Sequence, residues 1–239
     1  MSLFKGEPNK DGITVLKESG YSRVQSTDVV ALIDRAAIGP DYLPGHAHAD
    51  TLSFELSLFG QRVIVNSGTS IYGIGIDRQQ ERSTAAHSTI MIDEEDSREV
   101  WKGFRVARRA RIIKSTEQKS NDRIQISASH DGYKRLAGKP IHYREWIFEK
   151  SKLTINDKIT GKGVHAIMSI LPLHPSVVIK VLEVNRAELD VEGNEVVISV
   201  DNGGEFVTVN SCYHPEFGLS IANQQLVFNC RGKLPIELT

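Results

Sequence analysis

The sequence predicts an all-β protein, one large antiparallel β-sandwich with few or no helices. Three observations carry that expectation. Apolar runs of strand length, bounded by Gly, Pro, Asn and Asp, recur from end to end of the 239 residues. Patterns of helical period are scarce. No linker or internal repeat interrupts the series, so residues 1–239 read as a single β-sandwich domain, a size that all-β domains reach as one unit.

The first strands are expected over 12–17, 21–25 and 28–34. A Gly- and Pro-bearing loop, 38–45, then leads into Thr51-Leu52-Ser53-Phe54-Glu55-Leu56-Ser57-Leu58. Its even positions are large and apolar and its odd positions polar, the period of a half-buried strand. Gly60-Gln61 turns the chain and 62–66 return as the second arm of a hairpin. Extended backwards, the same parity puts His46, His48 and Asp50 on the core side, so the strand would end in a cluster of ligand-type side chains at Pro44-Gly45. Residues 67–86 are Gly-rich and polar, with one helical turn expected at 79–86. Loops of this length inside a compact domain are often functional. This one delivers His87 to a strand over 87–93. Further strands are expected over 100–103, 104–114, 123–129, 141–149, 152–160, 164–173, 177–181, 195–200, 205–210 and 226–230. Within 141–148, His142, Arg144 and Trp146 share one parity.

Composition bounds the function. With 25% charged residues and a net charge of -1, nothing favours wholesale nucleic-acid binding. No run of about 18 apolar residues is present, so no membrane span is expected. The first ten residues lack the apolar region of a signal peptide. Met1-Ser2-Leu3 is compatible with an appended start, in which case the chain is a fragment of a longer protein. The two cysteines, Cys212 and Cys230, form no C-x-x-C pair; two buried free thiols are the simpler reading and a disulfide the alternative. A G-x-S-x-G elbow, a P-loop and a strand-linked G-x-G-x-x-G are all missing, so serine-nucleophile and nucleotide chemistry have no support.

Four groups of residues bear on chemistry. His46-x-His48 with His87 can converge on one ion or one substrate, because alternate strand residues share a face; Asp50 and Asn66 are the nearest oxygen donors, and Asn, being neutral, is the poorer zinc ligand. The same pattern also suits two histidines hydrogen-bonded at a polar strand end. Arg105, Arg109 and Arg111 share one parity in Phe104-Arg105-Val106-Ala107-Arg108-Arg109-Ala110-Arg111 and suit anionic ligands through their bidentate forks, or form a solvated sheet face. Tyr72, on the Gly-rich loop, can exchange a proton, stack on a sugar or simply pack. His174 and His214, each before a proline, read as structural, as do His130, His142 and His165.

The ordered blocks Gly45-His46-Ala47-His48-Ala49-Asp50-Thr51-Leu52-Ser53-Phe54, Val63-Ile64-Val65-Asn66-Ser67-Gly68-Thr69, Arg82-Ser83-Thr84-Ala85-Ala86-His87-Ser88-Thr89 and Trp101-Lys102-Gly103-Phe104-Arg105-Val106-Ala107-Arg108-Arg109-Ala110-Arg111 resemble the C-terminal β-sandwich region of the heparinase II/III-like polysaccharide lyases. The resemblance implies a supersandwich-like fold and β-elimination at uronic-acid sugars. It places His46 towards substrate and implies a structural zinc held by His48, residue 66 and His87; the usual aspartate is here Asn66, which weakens that site. It also implies an acidic polysaccharide as partner, a periplasmic or cell-envelope location, and an N-terminal helical toroid that supplies further proton-transfer groups. Nothing in 1–39 resembles that toroid, so these residues alone are expected to show little or no lyase activity. A competing reading is a β-sandwich that binds acidic polysaccharide without cleaving it. A cupin-like metal oxygenase would need a carboxylate beside His-x-His, which Asp50 only weakly offers.

Overall fold

The computed structural model describes residues 11–37 and 45–239. Most of the loop expected at 38–45 lies outside them. Strands β1 (Gly12–Leu16), β2 (Tyr21–Gln25), β3 (Val29–Asp34), β4 (Phe54–Leu58) and β5 (Gln61–Ile64) form an antiparallel sheet in sequence order. A helix, α1 (Ile76–Arg82), and a 3-10 turn at Thr84–Ala86 follow, then β6 (Ile90–Ile92) and the hairpin β7 (Val100–Trp101)–β8 (Arg105–Val106). Next come β9 (Ile112–Lys119), β10 (Ile124–His130), β11 (Ile141–Glu149) and β12 (Lys152–Thr160). The chain closes with β13 (Val164–Pro172), β14 (Val178–Leu182), β15 (Arg186–Val191), β16 (Asn194–Ser199), β17 (Glu205–Tyr213), β18 (Ile221–Lys233) and β19 (Ile236–Leu238).

The second five-stranded sheet runs β19-β12-β11-β10-β9, with β9 at its edge, and a third runs β17-β18-β13-β6; β14-β15-β16 form a smaller sheet. One continuous apolar core joins them: Ile33, Phe54 and Leu56 from the first, Trp146 and Ile159 from the second, Ile92, Ile167 and Phe228 from the third, Leu189 from the smaller sheet. The all-β expectation holds, with one short α-helix among the described residues. Strands β2, β11 and β12 fall where the alternation put them.

Three expectations need correction. The strand expected over 87–93 begins only at Ile90, because His87 ends the 3-10 turn. The stretch 104–114 is not one strand: residues 107–111 are irregular between β8 and β9. The cysteines are free, as read, but neither is fully buried: Cys212 is exposed and Cys230 half-buried. Two strands, β15 and β19, carried no expectation.

The shared parity of His142, Arg144 and Trp146 turns out to face inward; all three are buried. Arg144 makes a two-pronged ion pair with Asp157 across the β11–β12 ladder, Nε to Oδ1 at 2.7 Å and Nη2 to Oδ2 at 2.8 Å. Its remaining nitrogen, Nη1, donates to the carbonyls of Leu52 at 3.0 Å and Ser88 at 2.6 Å. His142 Nε2 donates to Asp157 Oδ1 at 2.6 Å, His130 Nε2 donates to His142 Nδ1 at 3.1 Å, and the Gly132 amide donates to His130 Nδ1 at 3.1 Å. Each imidazole thereby has one donor and one acceptor role, as a neutral ring must.

Burial alone would raise the Asp157 carboxyl, but the charge of Arg144 and the hydrogen bond from His142 outweigh it and hold it at about 2, against an ordinary 3.8. Its folded value thus lies below its unfolded one. The contribution to stability is complete above about pH 3.8 and disappears as the pH falls towards 2. Removing one member of such a pair leaves the other charge buried and unpaired. We therefore expect Arg144→Met to cost about 3–5 kcal/mol in urea unfolding at neutral pH; a loss below about 1 kcal/mol would show the pair to be dispensable.

Candidate functional site

The loop carrying the two histidines is not an extension of β4. Leu52 adopts a left-handed backbone, φ 61°, which breaks the alternation before Phe54. His46 is therefore exposed and His48 buried, whereas parity had put both on the core side. Without a sheet partner, the loop's backbone groups need others, and neighbouring side chains supply them. Arg82 Nε donates to the Ala47 carbonyl at 2.9 Å, Arg98 Nη1 to that of His48 at 3.0 Å and Thr84 Oγ1 to that of Ala49 at 2.8 Å. Arg98 also pairs with Asp50, Nη1 to Oδ1 at 3.1 Å. Three consecutive carbonyls are thus fixed by three residues drawn from α1, the 3-10 turn and the segment before β7.

The chain entering β6 is held in the same way. Thr89 Oγ1 donates to the Thr51 carbonyl at 2.8 Å, the Phe54 amide donates to Ser88 Oγ at 2.8 Å, and Arg144 grips the Leu52 and Ser88 carbonyls from below. This brings His87 against His48, with Nε2 and Nδ1 3.2 Å apart. His87 Nδ1 faces the Ser83 carbonyl at 2.8 Å. Burial first, then the nearby charges of His87, Arg78 and Arg82, push the His48 imidazole down to about 2, and burial lowers His87 as well. Both rings are neutral at physiological pH.

His46 looks outward, and Tyr72 meets it, its hydroxyl 3.5 Å from Nδ1. Tyr72 is about half exposed and sits between Phe104 and Phe217, ring centroids 5.9 and 5.2 Å away. Phe217 arrives because the Gly68 segment pairs with His214, the His214 amide donating to the Ser67 carbonyl at 2.7 Å and the Gly218 amide to the Ser70 carbonyl at 2.8 Å. Gly68 has φ 83° and a Cβ there would lie 2.0 Å from the His214 carbonyl oxygen, so only glycine permits the approach. Beneath Tyr72 lies Arg78 of α1, its guanidinium carbon 5.3 Å from the ring centroid. Arg105 is exposed and stacks on Trp101 at 5.0 Å. Arg109 is half-buried further along the loop, and Arg111 is exposed where its backbone amide donates to Asp131 at 2.8 Å. The common strand face once expected for these arginines is absent, because 107–111 are irregular.

The residues suggested for zinc can be judged on their chemistry. Asn66 and His87 line a common cavity of about 170 Å³ with Tyr21, Asp34 and Glu55. Asn66 Oδ1 accepts from the Gly68 amide at 3.0 Å. Among the described residues no three His, Cys, Asp or Glu side chains form a metal-binding group, and the set implied by the resemblance takes its third donor from Asn66. Two neutral imidazoles and a neutral amide, with the cations Arg78 and Arg82 close to His48, do not fit a divalent ion that carboxylates ordinarily help to balance. Residues that sequence reasoning passed over, Arg78, Arg82, Arg98 and Arg144, do most of the positioning. Only Arg144 had a signal, its parity with Trp146.

The fold is an antiparallel β-sandwich that presents a histidine and a tyrosine side by side on one face. The residues 9–238 match the family described as heparinase II/III-like, C-terminal, and the chain belongs to that family. Among solved structures it is similar to the heparan sulfate lyase HepC from Pedobacter heparinus (TM-score 0.77, 18% identity, 96% of this chain and 35% of that one). It is similar also to a mutant of that lyase (TM-score 0.78, 17% identity, 98% of this chain and 36% of the other). A third such structure is the heparinase III BT4657 gene product (TM-score 0.76, 15% identity, 98% and 36%). At these identities the likeness is one of fold. The chain spans about 36% of the length of the lyases it resembles. No curated protein sequence matches it. No helix among the described residues is long and apolar enough to cross a membrane.

The cavity beside the histidines yields a test of its own. Asp34 is buried there, its Oδ1 accepting from the Ala36 amide at 2.7 Å. Burial first, and the charge of Asp50 second, push its carboxyl up to about 8 from 3.8. The folded state thus holds this proton more tightly than the unfolded one, and stability falls as the pH rises from about 4 through 8. Asp34→Asn mimics the protonated form. We expect it to flatten that decline in unfolding free energy; an unchanged alkaline limb would place the titration elsewhere.

Proposed function

We propose that this chain is the β-sandwich portion of a polysaccharide lyase that cleaves uronic-acid-containing polysaccharide, glycosaminoglycan-like or alginate-like, by β-elimination. The observation that carries it is the exposed pair His46 and Tyr72, 3.5 Å apart, His46 standing at the head of a loop whose carbonyls at 47–49 are pinned by three side chains and Tyr72 on the Gly-rich loop facing it. β-Elimination needs the proton next to the sugar carboxylate removed, that carboxylate neutralised and the leaving oxygen protonated. An imidazole and a phenol at this separation can reach neighbouring atoms of one sugar unit, one taking a proton and the other giving one. Tyr72, Phe104 and Phe217 offer ring faces on which a sugar can stack. Arg105, Arg109 and Arg111 supply positive charge for an acidic chain, Arg105 being stacked on Trp101 close to Phe104.

In this reading the chain forms one wall of a cleft. A helical domain N-terminal to it completes the cleft and contributes further proton-transfer groups, and the whole protein works in the periplasm or cell envelope of a bacterium. The isolated chain is then inactive or nearly so.

The test uses the full-length protein acting on acidic polysaccharides, with the rise in unsaturated-uronate absorbance as the readout. His46→Ala and Tyr72→Phe should each lower kcat by about 10²–10⁴-fold while leaving polysaccharide binding within a few-fold. Unchanged turnover in both variants sinks the assignment. Measurable binding in a wild-type protein that never produces unsaturated product would instead favour a non-catalytic binding module. For the arginines, Arg105→Ala should weaken binding more at low than at high ionic strength, since exposed charges are screened by salt.

A further inference from the structure

The buried histidine pair has an unambiguous direction. We infer that in this chain the guanidinium of Arg78, rather than a metal ion, sets the proton positions on His48 and His87, which makes Arg78 a positioning residue beneath the exposed His46–Tyr72 pair.

The argument runs from the two ends of a short chain of contacts. At one end Arg78 Nη1 lies 3.4 Å from His48 Nε2. A guanidinium only donates hydrogen bonds, so that ring nitrogen accepts. At the other end His87 Nδ1 lies 2.8 Å from the Ser83 carbonyl, which only accepts, so that ring nitrogen donates. Between them His48 Nδ1 and His87 Nε2 are 3.2 Å apart. A neutral imidazole carries one N–H and one lone pair. His48 must therefore hold its proton on Nδ1 and donate it to His87 Nε2. The two ends agree independently on one arrangement: Arg78 to His48, His48 to His87, His87 to the Ser83 carbonyl.

A separation of 3.2 Å between two ring nitrogens also suits a shared metal, so distance alone decides nothing. Protons and charge decide. A metal between the rings needs lone pairs on both His48 Nδ1 and His87 Nε2, which moves the His48 proton to Nε2. That proton would point at the N–H of Arg78. Thr69 Oγ1 is a poor refuge, because at 3.5 Å from Nε2 it lies at the outer limit of a hydrogen bond. The charges agree. Arg78 and Arg82 are both buried beside His48. The acid paired with Arg78 is Glu81 at 3.7 Å, and Glu81 also binds Ser70 and faces His214. A dication held by neutral donors would add its charge to those of Arg82 and of Arg78, whose acid partner Glu81 is shared with Ser70 and His214. An aspartate at position 66 would alter that balance, and Asn66 does not.

Arg78 also reaches outward. Its Nε donates to the Gly103 carbonyl at 3.4 Å and its guanidinium lies under the Tyr72 ring at 5.3 Å. One buried cation thus joins the histidine pair to the aromatic wall of the active face.

The test is independent of any lyase activity. Long-range ¹H–¹⁵N correlation spectra of the purified wild-type chain report ring tautomers directly. We expect both His48 and His87 as neutral Nδ1–H tautomers, zinc content at trace level after dialysis against buffer containing zinc, and a Tm unaffected by EDTA. Stoichiometric zinc, with a fall in Tm on chelation and a metal-shifted His48 Nδ1, would overturn the inference. Arg78→Leu tests the residue itself: His48 should lose its single tautomer, and Arg78→Lys should restore it in part. A single Nδ1–H tautomer persisting in Arg78→Leu would reassign the role away from Arg78. Should Arg78→Leu not fold, the wild-type tautomers and metal content decide the question alone.

Discussion

The ion pair between Arg144 and Asp157 is the constraint on which the rest of this molecule depends. It sits inside the sandwich, where an isolated charge would be very costly, and it is tolerated because nearly every donor and acceptor it presents is used. Asp157 takes three hydrogen bonds from two side chains. Arg144 spends its last nitrogen on two backbone carbonyls from the segments that carry His48 and His87. The second sheet thereby reaches through the core and fixes where the first sheet's loops can lie. The rings of Phe54 and Trp146 flank the guanidinium at 5.9 and 5.8 Å, closing the site to water.

A shared logic links this buried pair to the surface. Where the chain departs from sheet near the site, side chains complete its hydrogen bonding, and arginines do so at four carbonyls, those of Ala47, His48, Leu52 and Ser88. Arg82, Arg98 and Arg144 each satisfy carbonyls that lack a strand partner. The guanidinium suits this work because its planar fork can meet acceptors on several sides at once and is less strongly hydrated than an ammonium group. The outward face, His46 with Tyr72, needs no such burial. It inherits its rigidity from the residues below.

Much of the fold was legible in the sequence because alternation is a local signal. β2, β11 and β12 are long or regular enough for period two to stand out. β15 carries the same alternation, with Ala187, Leu189 and Val191 buried between Arg186, Glu188 and Asp190, but its Ala, Glu and Asp are weak strand formers. The histidine loop is not legible in this way, since the alternation that holds from 54 to 58 stops at Leu52, whose positive φ no neighbouring residue announces. The juxtaposition of His48 with His87 could be guessed from residue type, whereas the role of Arg78 could not. Its partners lie on separate segments, and only the folded chain shows that one of them accepts where a metal site would need it to donate.

The edge strand β9 has a consequence for handling the protein outside its native setting. Its backbone forms one rim of the second sheet, and such rims recruit strands from other molecules. Here six of the strand's eight residues, Lys114, Ser115, Thr116, Glu117, Gln118 and Lys119, are polar and exposed. Charged and hydroxyl side chains of mixed sign along a rim discourage a second copy from adding itself in register. The sandwich thus carries its own guard against edge-to-edge aggregation.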